Sequence, residues 1–204
     1  MKKLFTIVLM LFSAATMNAQ LVKVSFGAKG VGLATLPRTE ISPTTKMQFG
    51  GGGGLFVGMK ITDWFGIQVE GLYGYQTAKY PHSIASISGS STTYTTNSTY
   101  LYIPVVAQLW LGRSFAFEAG WQQAIVMSGS MVKNGNTVTD HGVLDYGSFI
   151  AGININAGRV VFFNLRYSLA LDYSYVMTSE PSKNMGLQLG IGFRFYTSRK
   201  SIFD

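Results

Sequence analysis

VVFFNLRYSLALDY, residues 160–173, alternates strictly: Val161, Phe163, Leu165, Tyr167, Leu169 and Leu171 fall on one side of an extended chain, and Asn164, Arg166, Ser168 and Ala170 on the other. Side chains of a β-strand point to its two faces in turn, so a period of two with one apolar side marks a strand with one greasy face. An amphipathic helix would instead repeat its apolar residues at spacings of three and four. The apolar face here is continuous, and the polar face carries a charged residue at its centre.

The same period recurs in seven other segments. In the first, Val22, Val24, Phe26 and Ala28 oppose Lys23, Ser25, Gly27 and Lys29. FGGGGGLFVGMK (49–60) sets Phe49, Leu55, Val57 and Met59 against Phe56, Gly58 and Lys60, and FGIQVEGLYGYQ (65–76) sets Phe65, Ile67, Val69 and Tyr73 against Gln68, Glu70, Gly74 and Gln76. YLYIPVVAQLWLG (100–112) places Leu101, Ile103, Val105, Ala107, Leu109 and Leu111 opposite Tyr100, Tyr102, Pro104, Val106, Gln108 and Trp110. Pro104 cannot donate to a ladder, so it predicts a bulge or local break. FAFEAGWQQAIVM (115–127) and GLQLGIGFRFY (186–196) are equally regular, whereas VLDYGSFIAGININ (143–156) has apolar residues on both faces and its orientation stays open.

The five glycines, Gly50 to Gly54, match neither a dinucleotide-binding fingerprint nor a P-loop, since Lys60 follows Met59 and no G-x-G-x-x-G window occurs. They fall inside the second alternation, with Gly50, Gly52 and Gly54 on its polar side. Glycine there suits a sharply curved strand, or one that must accommodate large neighbours, with Tyr100, Tyr102 and Arg166 as candidates to fill the space.

The sequence thus predicts an all-β fold of eight antiparallel strands. Connections alternate between short (near 61–64, 112–114 and 156–159) and long and polar (near 35–48, 80–98, 129–142 and 174–184). Long loops at one end, short turns at the other and both termini on the short-turn side describe an up-and-down transmembrane β-barrel. Composition agrees: 47% hydrophobic and 12% charged residues are too greasy for an ordinary soluble domain, in which about 25% are charged. No segment after the leader reaches the 18 or more apolar residues of a membrane helix.

Residues 1–20, MKKLFTIVLMLFSAATMNAQ, read as a cleavable signal peptide, with Lys2 and Lys3 ahead of an apolar stretch and small residues near Ala19, leaving residues 21–204 as one barrel domain. The absence of cysteine excludes a disulfide framework and thiolate metal sites. The net charge of +7 includes Lys2 and Lys3, and the remaining cations are scattered singly, which excludes a nucleic-acid footprint.

Tyr100-Leu101-Tyr102-Ile103-Pro104, Asp145-Tyr146-Gly147, Arg166-Tyr167-Ser168 and the closing Gly190-Ile191-Gly192-Phe193-Arg194-Phe195, in this order and spacing, resemble the outer-membrane β-barrel domain family that includes the PorT-like proteins of Bacteroidetes. The chain departs from that pattern at Tyr102, where an acid is frequent, and in the tail TSRKSIFD after Tyr196. The resemblance implies a Gram-negative outer-membrane location and handling by the outer-membrane assembly machinery. It implies no single activity, because sites are grafted onto folds.

Glu70, Glu118, Arg166 and Arg194 sit on the faces expected to point inward, and an eight-stranded barrel is only just wide enough for side chains to fill. They are expected to form a structural charge network across the lumen, since buried ions need partners. No catalytic, cofactor-binding or metal-ligating set accompanies them. His82 and His141 fall in long loops, where a lipid A-modifying barrel enzyme would need a His with Ser and an acid; His82-Ser83 and Asp140-His141 are the residues that reading would use. Trp64, Phe65, Phe115, Phe193, Phe195 and Tyr196 near one rim, and Tyr73, Tyr75 and Tyr173 near the other, suit interfacial girdles.

The functional expectation is a non-enzymatic outer-membrane barrel with a filled lumen, without cofactor and without conductance, structural or surface-binding through its outer loops, with membership of an envelope or secretion complex as one form of that role. Arg38, Lys46, Lys79, Lys133 and Lys183 are placed to meet lipopolysaccharide phosphates. The alternative is a secreted lipocalin-like barrel around an apolar ligand, which requires the greasy faces to point inward.

Overall fold

The computed structural model describes residues 23–39, 48–82, 92–133, 136–139, 144–172, 175–177 and 180–197. The leader, Val22, Lys46, His141 and Tyr173 lie outside these residues.

Eight long strands follow the eight alternations: β1 (Lys23–Thr39), β2 (Gln48–Lys60), β3 (Phe65–His82), β4 (Thr92–Leu111), β5 (Phe115–Lys133), β7 (Tyr146–Ala157), β8 (Val161–Ala170) and β10 (Glu180–Thr197). Two short strands, β6 (Asn136–Thr139) and β9 (Tyr175–Met177), add to β5 and β10. Each long strand pairs antiparallel with the next, and β10 returns to β1, so the sheet closes on itself as an eight-stranded barrel. Closure removes every free long edge, which is what allows strands to cross a bilayer.

Alternation decides which side faces in. Leu55, Phe117, Leu165, Leu187 and Leu189 are exposed on the outer wall, while Gln68, Glu70, Gln108, Glu118, Gln122, Asn154, Asn164, Arg166 and Gln188 are buried inside. The greasy faces therefore point outward, the reverse of what a lipocalin-like ligand barrel requires. The seventh strand in chain order, β7, takes the orientation the sequence left open: Tyr146, Ser148, Ile150 and Asn154 are buried, and Phe149 and Ile155 exposed. Its pattern was ambiguous because Tyr146 and Ile150 are apolar residues in the lumen.

Short turns hold one end. Gly112 and Gly158 take φ of 75° and 87°, the left-handed region that L side chains rarely adopt. In the third turn the Phe65 amide donates to Thr62 Oγ1 at 3.0 Å, while the amides of Ile61 and Thr62 donate to the Phe65 carbonyl.

Pro104 does not shift the register. The β3–β4 pairing runs from Val69↔Val105 to Leu72↔Tyr102 with an interruption at the residues between, so a donor is lost locally without an inserted residue. The irregularities lie elsewhere. Phe26 pairs Tyr196 and Gly27 pairs Arg194, leaving Phe195 as the extra residue; Thr99 pairs Ser128 and Tyr100 pairs Val126, leaving Met127. The first bulge turns both Phe195 and Tyr196 outward, where each ring packs on Phe26 about 6 Å away.

Strand lengths make the rim uneven. A tilted strand crosses a bilayer in about 9–11 residues. β8 has 10 residues and β7 has 12, whereas β3, β4 and β5 have 18, 20 and 19. β1 and β10, with 17 and 18 residues, are about as long as β3, so these five strands rise beyond β7 and β8 on the long-loop side. Arg38, Lys79, Lys133 and Lys183 lie in these extended strands and not in loops, and His82 is the last residue of β3.

Candidate functional site in the barrel lumen

The lumen is filled in tiers. Toward the long-loop end, Tyr100 stacks on Tyr102 (5.5 Å, 30° between planes) and meets Tyr146 edge-on (5.6 Å). Leu72, Val31, Ala124 and Ala170 complete this apolar cluster. The Tyr102 hydroxyl donates to Gln76 Oε1 at 3.2 Å, giving the phenol a partner where water is scarce. Tyr102 also lies against Gly74, whose missing side chain is the space the ring occupies.

Below the tyrosines sit the charges. Glu70 of β3 accepts from Lys29 Nζ at 2.8 Å, Arg166 Nη2 at 2.6 Å and Gln68 Nε2 at 2.7 Å. Glu118 of β5 accepts from Arg166 Nε at 2.6 Å, Gln108 Nε2 at 2.7 Å and Asn154 Nδ2 at 3.0 Å. Gln108 donates onward to Gln68 Oε1 at 3.2 Å, tying the two carboxylates together. Arg166, from β8 on the far wall, thus bridges both acids with two of its nitrogens. Two cations meet two carboxylates, all side chains essentially buried, so the cluster is neutral as a unit. Desolvation of four ions is costly, and only a geometry this dense in hydrogen bonds offsets it.

Lys29 is the member that sequence reasoning left out. It lies on the polar face of β1, but parity along a strand gives the face of a residue and not its height. Lys29 and Glu70 stand on the strands flanking β2 and meet across its inner face, where Gly52 and Gly54 contribute no side chain. Arg194 goes the other way. It faces inward, yet the β10–β8 register sets Gln188 beside Arg166 and carries Arg194 past Val161 to the short-turn end. There it donates to Asn156 Oδ1 at 2.7 Å and lies 4.6 Å over the Phe162 ring. Phe162 and Phe56, edge to face at 5.2 Å, separate it from the ion cluster.

The glycines of β2 are explained by backbone and not by large side chains. A Cβ on Gly50, Gly52 or Gly54 would run into the carbonyls of Tyr75, Tyr73 and Gly71 on β3, so neither Tyr100, Tyr102 nor Arg166 sets the limit. Among the described residues, no group of three His, Cys, Asp or Glu is placed to hold a metal ion.

A family model described as an outer membrane protein beta-barrel domain matches residues 4–195. Among solved structures, Neisserial surface protein A is similar with a TM-score of 0.58 and 11% identity, over 84% of this chain and 99% of that one. Ail, the attachment invasion locus protein of Yersinia pestis, aligns with a TM-score of 0.49 and 11% identity, over 85% and 98% of the two chains. At this identity the likeness to Neisserial surface protein A is one of fold. A comparison with curated protein sequences found no match.

Proposed function

The chain belongs to the outer membrane protein beta-barrel domain family, and on that premise we propose that it is a non-enzymatic, plugged barrel whose work is done outside the lumen. The observation that carries this reading is the bridge Lys29–Glu70–Arg166–Glu118, which spans the barrel from β1 to β8 and pairs two cations with two carboxylates. Each carboxylate accepts from three structural donors inside the packed lumen, an arrangement that serves a plug better than a reacting acid or base. A permeation path needs a water-filled radius; here side chains occupy it.

The surface role rests on the raised wall formed by β10, β1, β3, β4 and β5, which stands above β7 and β8. Strands roughly twice the crossing length keep their ladder above the membrane and offer a rigid platform for a protein or lipopolysaccharide partner. Export through removal of residues 1–20, and a place in an envelope or secretion complex as the PorT-like resemblance suggests, belong to the same proposal.

One preparation tests it. Detergent-extracted outer membrane should contain the protein in a heat-modifiable form, and the purified barrel should give no single-channel steps in planar bilayers. Discrete conductance steps in the wild-type protein would overturn the plugged-lumen reading.

A further inference from the structure

At the short-turn end the lumen widens into a cavity of about 790 Å³, whose inner lining includes Gln68 and Gln108, the amides that bond Glu70 and Glu118. Its lining includes Lys23, Lys60, Arg113, Arg159 and Arg194, with Trp110 in the wall. Among the described residues the ion pairs go to Glu70 and Glu118, so none of these five cations has a carboxylate in salt-bridge contact. Asp63, in the β2–β3 turn, is the acid whose charge Lys60 feels. Lys60 lies 5.0 Å over the Trp110 ring and Arg194 is held by Asn156 and Phe162, so two of the cations are positioned by neighbours of no opposing charge. Trp110 is nine-tenths buried, and its Nε1 has no hydrogen-bond acceptor among the described residues.

We infer that this vestibule is a binding site for a phosphate-bearing anion presented from the side of the short turns, which in such barrels is the periplasm. Five like charges gathered in one concave mouth repel one another, and a concave low-dielectric wall focuses their field on whatever anion enters. A single carboxylate would leave most of that charge unopposed. Three of the five are guanidiniums, whose planar fork matches phosphate oxygens two at a time. The volume falls within the roughly 300–1,000 Å³ of small-molecule sites. The anion is the phosphate of a soluble periplasmic solute or of a lipid headgroup reaching round the rim; the chemistry at the site is shared.

The full-length protein in phosphatidylcholine nanodiscs, titrated with inorganic diphosphate by calorimetry, tests this. Arg113 and Arg159 lie in exposed turns, so the double variant Arg113→Gln/Arg159→Gln should keep its heat-modifiable fold while binding diphosphate at least tenfold more weakly. Lys183→Gln, on β10 toward the long-loop end, should bind as the wild type does. Absence of binding by the wild type, or equal affinity in the double variant, overturns the site, and citrate binding as tightly as diphosphate overturns its assignment to phosphate. Repeating the titration with phosphatidylglycerol in the nanodisc separates the sources: lost diphosphate affinity identifies a lipid headgroup, and retained affinity a soluble solute. A conducting barrel would leave this result standing.

Discussion

Glu70 gathers donors from β1, from its own strand and from β8, whereas Glu118 shares Arg166 and otherwise receives two neutral amides. Removing either charge strands a cation where water cannot reach, a loss of about 3–5 kcal/mol for a buried pair. Glu70→Gln should therefore unfold at lower denaturant than Glu118→Gln, because it deprives both Lys29 and Arg166 of their common partner. Lys29→Met/Glu118→Gln removes one charge of each sign and leaves the Arg166–Glu70 pair intact. Its destabilisation should be smaller than the sum of the two single variants, read from urea titrations of the refolded barrel in lipid. Additive losses would show that Lys29 and Glu118 do not share one network. The sequence showed which residues turn inward, since parity along an alternating strand is enough for Glu70, Glu118 and Arg166. It did not show height. Lys29 enters the cluster and Arg194 leaves it because register around a closed sheet, which no single strand encodes, sets the level each side chain reaches.

At the scale of the strand, β2 is built from absence. Its inner glycines bring the β2 backbone so near β3 that any Cβ at Gly54 would press on the Gly71 carbonyl, while a Cβ on Gly71 itself would meet nothing within 4 Å. The bare stretch also leaves room for Lys29 to reach Glu70. Gly54→Ala should reduce the folded, heat-modifiable fraction severely, and Gly71→Ala should leave it unchanged. Equal tolerance would mean that β2 can flatten without cost. This strand also marks where reading by pattern alone stops: the glycine run could be placed inside a strand from its flanks, Phe49 and Leu55 to Met59, but the neighbour that demands glycine is a backbone and so has no side-chain signature. The same limit applied to β7. Its Ile150 and Tyr146 look like lipid-facing residues by composition, and only the pairing with β5 and β8 turns them inward. Pro104 is the opposite case, a residue whose chemistry was legible and whose consequence was smaller than a bulge, because one missing donor interrupts a ladder without adding a residue to it.

For the whole molecule, the two ends differ in kind. One carries the high wall formed by β10, β1, β3, β4 and β5; the other carries three tight turns and the cationic mouth. An outer-membrane barrel places long connections outside the cell and short turns in the periplasm, so the wall should face the environment and the mouth the cell's own compartment. The chain contains no cysteine, so a single introduced thiol reports its side of the membrane without background. Ser88→Cys, between β3 and β4, should react with a membrane-impermeant maleimide in intact cells. Ser114→Cys, in the β4–β5 turn, should react only after the outer membrane is permeabilised. The reverse pattern would invert the barrel, turning the raised wall toward the periplasm and the cationic vestibule toward the medium. Labelling at both sites in intact cells would mean that the chain does not span a sealed bilayer. The expected pattern has a physical basis in the assembly route: a chain exported to the periplasm inserts from that side, and each hairpin must carry its connection across the bilayer. Long polar connections cross once and stay outside, while the turns that never cross can keep charged residues such as Arg113 and Arg159 at no insertion cost.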